Sequence, residues 1–225
     1  MKLSGAQLKK ICPTLPMDKA CHIAHLMNQV LPLYDMDDPN IFHEFIANVA
    51  IESKEFQTLV ENMNYSTEVL RDTFGKHRIS DADVMKYGAI KGKQKANQQM
   101  IANIVYGGTF GKNELGNIHQ NDGWIFRGAG WLQITGRKNQ TLFTVYYNNR
   151  FGTNHTIEQM VDLIRTDYYY AAHSACWVFK KTYSFETVLS ITNSLPSRDV
   201  PLFVYSARFT SNSLTFLLKI SRASF

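Results

Sequence analysis

Two glutamates, Glu52 and Glu61, are the side chains of this sequence whose type and spacing could carry acid–base chemistry. Glu52 lies in a stripe of apolar residues at Phe45, Val49 and Phe56, three after Val49 and four before Phe56. Such spacings trace one face of a helix with about 3.6 residues per turn. A carboxyl on that face is partly desolvated, paired with a cation, or at the rim of a cleft. Desolvation disfavours the charged form and raises a carboxyl pKa, as a general acid near neutral pH requires. A helix end emerging into solvent, or an ion pair with a lysine, accounts for the same position, and on spacing alone both readings stay open. Glu61 follows in Glu61-Asn62-Met63-Asn64-Tyr65-Ser66. At about 100° per residue one unbroken helix would point the two glutamates apart, so they share a cleft only if the chain breaks between them. The Asn-rich run, with Ser66 as the N-cap of a following helix, supplies such a break. Two carboxylates flanking one cleft are what glycoside hydrolysis demands: one protonates the leaving oxygen, the other activates water or attacks. A solvated helix-end charge is the alternative for Glu61.

The second feature is a Gly-rich segment, Asp122-Gly123-Trp124-Ile125-Phe126-Arg127-Gly128-Ala129-Gly130-Trp131-Leu132-Gln133-Ile134-Thr135-Gly136-Arg137-Lys138-Asn139. It is not a nucleotide loop: Gln133 stands where a dinucleotide fingerprint wants glycine, and no Gly-Lys-Ser/Thr follows any glycine run. Paired glycines between aromatic residues suggest close backbone approach to a ligand. Gln133, Thr135 and Asn139 offer polar groups for sugar hydroxyls and acetamides, and Trp124 and Trp131 offer ring faces, unless they belong to the core.

The elements that must position these residues are mostly helices. Ser4-Gly5-Ala6-Gln7 and Thr156-Ile157-Glu158-Gln159 read as capping boxes. Helices are expected from Met17 to Leu31, from Asp38 (N-cap, followed by Pro39) to Phe56, and over Glu68–Phe74, Asp81–Tyr87, Gln94–Val105, Arg137–Arg150 and Asp167–Phe179. One β signal stands out, a hairpin of Trp124-Ile125-Phe126 and Trp131-Leu132-Gln133-Ile134. The expected class is therefore mainly α, with one domain over residues 1–186. From Thr187 to Phe225 the chain is rich in Ser and Thr with Asp199 as its one acid, and its apolar residues show no period.

Composition narrows the field further. With 225 residues, 44% hydrophobic and 19% charged, the chain is ordinary globular material of about one domain, neither disordered nor fibrous. No apolar run reaches the roughly 20 residues of a membrane span. The start, Met1-Lys2-Leu3-Ser4-Gly5, lacks an apolar h-region, so no classical signal peptide is expected. Cys12, Cys21 and Cys176 are too few and odd in number for a disulfide scaffold and fit a reducing cytoplasm. The net charge of +5 favours acidic polymers, nucleic acid or wall material, without choosing between them. His22 and His25 near Cys12 and Cys21 lack a third ligand at a recognisable spacing, so no metal is expected. Lys86, Lys91, Lys93 and Lys95 read as a solvated face.

Taken together, the motifs resemble family 19 glycoside hydrolases, in particular the phage and bacterial endolysin or chitinase branch with a lysozyme-like fold. The likeness runs roughly from Leu3 to Trp177. It rests on Leu8-Lys9-Lys10-Ile11-Cys12-Pro13, Ile51-Glu52-Ser53 followed by Phe56, Glu61–Ser66, Ile101-Ala102-Asn103-Ile104-Val105-Tyr106-Gly107-Gly108 and the Gly-rich segment. The resemblance implies a lysozyme-like α-helical domain with a small β-hairpin at the cleft. It implies Glu52 as general acid, Glu61 as general base and Thr135 as the hydroxyl that helps to hold the attacking water. Gln133 and Asn139 match substrate-contacting amides, and Tyr65, Trp124 and Arg127 complete the expected substrate-binding set. It further implies inversion at the anomeric carbon, no cofactor, and peptidoglycan or chitin as partner, acted on by a monomer with no nucleic acid and no membrane insertion. Without a signal peptide, such an enzyme reaches the wall after release from the cell. Three departures stand out: Ile51 replaces a usual histidine, Gln140 stands where an aromatic residue is common, and Ile191-Thr192-Asn193-Ser194-Leu195-Pro196 does not match the family's late Ile-Asn-Gly-Gly segment and trailing arginine. The last 35 or so residues are therefore expected to be divergent or frameshifted. A non-catalytic or inactivated wall-binding protein is the alternative function.

Overall fold

The computed structural model describes residues 2–182, 203–206 and 217–220. Its helices are α1 (Gly5–Ile11), α2 (Met17–Val30), α3 (Pro39–Glu52), α4 (Thr67–Phe74), α5 (Asp81–Tyr87), α6 (Gln98–Val105), α7 (Gly108–Phe110), α8 (Asp122–Ile125), α9 (Arg137–Phe151), α10 (Ile157–Thr166) and α11 (Tyr168–Thr182). A 3-10 turn, Leu31–Tyr34, follows α2, and a π turn, Gly111–Leu115, follows α7. The short strands β1 (Phe203–Ser206) and β2 (Leu217–Ile220) pair antiparallel, Phe203 opposite Ile220. The fold is mainly α, in line with the lysozyme-like expectation. Apart from the two strands, the segment Thr187–Phe225 and the boundary expected before it lie outside the described residues. Among the described residues no helix is long and apolar enough to cross a membrane.

The chain divides into two compact units that interleave along the sequence. The first takes Met1–Leu59, Gly130–Leu132 and Thr166–Phe225; the second takes Val60–Ala129 and Gln133–Arg165.

In the first unit the expected capping box closes α1. Ser4 N donates to Gln7 Oε1 at 2.9 Å, and Gln7 N donates to Ser4 Oγ at 3.2 Å. Helix α1 lies so close on α2 that a Cβ on Gly5 would meet Cys21 Sγ at 2.3 Å. Asp38 caps α3, its Oδ1 accepting from Asn40 N at 2.9 Å and Ile41 N at 3.4 Å. The core is aromatic: Phe45 meets Phe179 edge-on at 5.4 Å and Phe56 meets Trp131 at 5.0 Å, all four fully buried. Removing a side chain of this size from water is worth about 1.5–3 kcal/mol. Trp131 is therefore core, not a ring face for sugar.

In the second unit α4, α5 and α6 close over Met63, Leu70, Phe74, Val84, Ile101 and Val105. Helix α6 starts at Gln98, four residues later than the pattern predicts. The Gln94 amide instead donates to the Gly88 carbonyl at 2.6 Å and the Lys86 carbonyl at 3.2 Å, holding a turn, and Asn97 becomes the N-cap. The first strand of the expected hairpin is absent as well. Trp124 and Ile125 are helical, in α8, because the buried Asp122 carboxylate organises that turn. It accepts from Ile118 N at 2.9 Å and His119 N at 3.0 Å and pairs with Arg137 in two contacts of 2.9 and 2.7 Å. Burial opposes the charge on Asp122, yet Arg137 and the two backbone donors outweigh it and hold the carboxyl below its ordinary range. What remains of the hairpin is a loop closed by Ala129 and Ile134, N to O at 3.2 and 2.8 Å.

Candidate active site

Glu52 is the last residue of α3, in the first unit, and it is exposed. The apolar stripe that frames it in the sequence, Phe45, Val49 and Phe56, is fully buried. The difference lies in the backbone after Glu52. Lys54, Glu55 and Phe56 take φ values of 52°, 57° and 63°, three consecutive left-handed residues, none of them glycine. Helical periodicity ends at Glu52, and this turn, rather than a further helical turn, returns Phe56 to the core. The reading of a desolvated Glu52 is thus corrected to that of a helix-end carboxyl. Buried Ser53 holds the turn: its Oγ donates to the Val49 carbonyl at 2.5 Å and accepts from Phe56 N at 2.8 Å. Its carbonyl accepts from Gln57 N at 3.0 Å and Thr58 N at 2.9 Å. Glu55 anchors the far side, Oε2 accepting from Thr14 N at 2.7 Å and Thr14 Oγ1 at 2.5 Å. Left-handed conformation costs an L-residue roughly 1–2 kcal/mol, so backbone strain sits two residues from Glu52 and is over-determined by its surroundings.

Glu61 belongs to the second unit, half-buried, and both of its carboxylate oxygens accept hydrogen bonds. Oε1 accepts from the Tyr106 hydroxyl at 2.5 Å and Oε2 from Gly128 N at 2.9 Å, while Glu61 N donates to the Gly128 carbonyl at 3.0 Å. The chain break expected between the glutamates is present: α3 ends at Glu52, residues 53–59 form turns and irregular backbone, and the Asn-rich run after Glu61 stays non-helical up to the Ser66 cap, which accepts from Val69 N at 3.3 Å. Gly128 has a steric reason to be glycine. A Cβ there would meet Gln133 Oε1 at 2.2 Å and Glu61 Cβ at 3.1 Å, so the Gln133 amide lies against the same backbone that holds Glu61. Gln133 itself is left-handed, φ 49°.

Cations and phenols surround this carboxylate. Arg127 lays its guanidinium 3.5 Å over the Trp124 ring and donates to the Trp124 carbonyl at 2.7 Å. Burial lowers the Arg127 pKa, with the Glu61 charge working the other way. Arg165 donates to the Ile125 and Arg127 carbonyls at 2.8 and 3.0 Å; burial, then the Arg127 charge, push its pKa down to about 10. Burial and, after it, the Glu61 charge raise the Tyr65 and Tyr106 phenols. Nearby, Thr135 Oγ1 donates to the Gln133 carbonyl at 3.1 Å and Asn139 Nδ2 to the Thr135 carbonyl at 3.0 Å. Gln140, where an aromatic residue is common, pins the Gly-rich loop, its buried amide donating to the Phe126, Arg127 and Ile134 carbonyls at 3.3, 3.3 and 2.9 Å.

The second unit thus holds Glu61, Tyr65, Trp124, Arg127, Gln133, Thr135 and Asn139, while Glu52 belongs to the first. Sequence reading missed Tyr106 and Arg165 as groups around Glu61. Tyr106 was inside a motif that carried the family resemblance, but nothing in its spacing ties it to a glutamate 45 positions away. Among the described residues no three His, Cys, Asp or Glu side chains converge as metal ligands.

No family model matches the chain. A glycosyl hydrolase family 19 domain-containing protein of Haemophilus influenzae is 34% identical to it over 99 residues, covering 44% of this chain and 44% of that protein. The chain therefore matches less than half the length of this curated relative. Through that stretch it is similar to a protein carrying a family 19 glycosyl hydrolase domain, the same family that its motifs resemble.

Proposed function

We propose that this chain is a glycoside hydrolase that cleaves β-1,4 bonds in an N-acetylglucosamine-containing wall polymer, peptidoglycan ahead of chitin. The observation that carries the reading is the Glu61 carboxylate held by two donors, Tyr106 and Gly128 N, at a loop that also presents the Gln133 amide. A carboxylate with a donor on each oxygen is held in one orientation, which a group that must line up with an attacking water requires. In the proposed reaction Glu52, exposed at the end of α3, gives its proton to the glycosidic oxygen. Glu61 takes a proton from the attacking water, which Thr135 helps to hold. Attack on the face opposite the leaving group inverts the anomeric carbon, a geometry that needs about 6.5–9.5 Å between the carboxyls. Gln133, Asn139, Tyr65, Trp124 and Arg127 contact the sugars. The choice of peptidoglycan rests on resemblance to lytic enzymes.

The test is release of soluble fragments from purified peptidoglycan and from chitin oligomers, wild type beside Glu52→Gln and Glu61→Gln. Cleavage lost in both variants, with the new reducing end in the inverted configuration by proton NMR, is the expected result. A folded wild type that binds the polymer and releases nothing would mark a non-catalytic wall-binding protein instead.

A further inference from the structure

The geometry points to Tyr106 as the positioning residue of Glu61: its hydroxyl holds one carboxylate oxygen while Gly128 N holds the other, which together fix the orientation of the carboxylate. This inference rests on the glycosidase reading above and goes beyond it by assigning a residue that the family resemblance leaves without a role.

Tyr106 is built to stay in place. Its ring meets Phe74 edge-on at 6.1 Å and packs on the Met63–Val105 core. Its N–H continues α6, donating to the Ala102 carbonyl at 3.0 Å, and its carbonyl accepts from Asn117 Nδ2 at 2.8 Å. The chain then doubles back so tightly that a Cβ on Gly107 would meet the Asn103 carbonyl oxygen at 2.2 Å, and one on Gly111 the Tyr106 carbonyl oxygen at 2.1 Å. The two glycines thus let the backbone close around Tyr106, whose ring, backbone and hydroxyl are each tied to a different neighbour. Burial and the Glu61 charge both raise its phenol, so the hydroxyl remains a donor throughout the working pH range. Tyr65 is also raised, by burial and then by the Glu61 charge, but the bond to the carboxylate is made by Tyr106. Fixing a reacting group in this way acts on the chemical step, since a misplacement of about 1 Å can cost roughly 100-fold in rate.

The experiment compares wild type, Tyr106→Phe, Glu61→Gln and the double variant in the full chain. Tyr106→Phe keeps the packed ring and removes one oxygen. With purified peptidoglycan or a chitin oligomer as substrate, kcat falls about 10–100-fold in Tyr106→Phe while KM stays within about twofold. In thermal unfolding each single variant lowers Tm, and the double variant lowers it no further than the larger single change, the signature of one shared bond. Unchanged kcat, a rise in KM alone, or additive Tm shifts would overturn the assignment. If wild type releases no fragments from either polymer, the glycosidase reading falls on its own. The thermal cycle then decides the Tyr106–Glu61 pairing: non-additive shifts keep it, additive shifts remove it.

Discussion

Lys54 and Glu55 offer a paired test in which the same backbone change has opposite net effects. Both are left-handed, at φ 52° and 57°, and each pays roughly 1–2 kcal/mol for that conformation. Glycine escapes the penalty but loses about 0.5–1 kcal/mol through its greater freedom in the unfolded chain. Lys54 is exposed, so Lys54→Gly should stabilise the protein by about 0.5–1 kcal/mol. Glu55→Gly gains the same relief but loses the two bonds that Thr14 N and Oγ1 give to Glu55 Oε2. At about 1 kcal/mol each, those bonds turn the balance to a net loss of roughly 1 kcal/mol. For a chain of this size 1 kcal/mol corresponds to about 2–4 °C in Tm. Lys54→Gly is thus expected to melt about 1–4 °C above wild type, and Glu55→Gly below it, by calorimetry at neutral pH. A lower Tm for Lys54→Gly, or shifts of the same sign in both variants, would refute the left-handed turn as the structure that ends α3 behind Glu52. A loosened turn in Lys54→Gly should also slow fragment release even as Tm rises, because strain next to a reacting group helps to hold it.

Gly128→Ala places a methyl group where the flexible end of Gln133 lies, 2.2 Å from Oε1; a stability loss of about 1 kcal/mol should accompany a displaced Gln133 amide, read as a rise in KM, and unchanged KM would count against Gln133 as a sugar contact. Glu44, on α3, has its carboxyl pKa pushed up to about 7 by burial, with the Asn48 side chain pulling the other way through a 3.0 Å bond. The folded protein therefore binds a proton that the unfolded chain releases, and stability falls as pH rises from about 4.5 to about 7. Glu44→Gln should raise Tm at pH 8 and leave it unchanged at pH 4; an equal gain at both would show that titration is not the cause. Arg137→Ala strands the buried Asp122 carboxylate and should cost about 3–5 kcal/mol in urea unfolding; a loss under 1 kcal/mol would mean that the backbone donors of Ile118 and His119 suffice.

Features set by neighbours three or four residues apart were legible in the chain itself. The caps at Ser4, Asp38, Ser66 and Thr156 form where side-chain type and spacing predict, because a cap joins a side-chain oxygen to a backbone N–H within one turn. The mainly α class and the grouping of Gln133, Thr135 and Asn139 were readable for the same local reason. Other features depended on partners distant in sequence. Gln94 left its helix to hold carbonyls of the preceding turn, and Trp124 became helical because Arg137 and two amides organise Asp122. The apolar stripe around Glu52 has the spacing of a continuous helix, but Ser53 and Thr14 stabilise a left-handed turn that no residue type there announces. The bond from Tyr106 to Glu61 joins two segments whose meeting is decided by packing of the Met63–Val105 core. Local hydrogen bonding is written into residue order, whereas the surroundings of Glu61 come from side chains that meet only when apolar surface is removed from water.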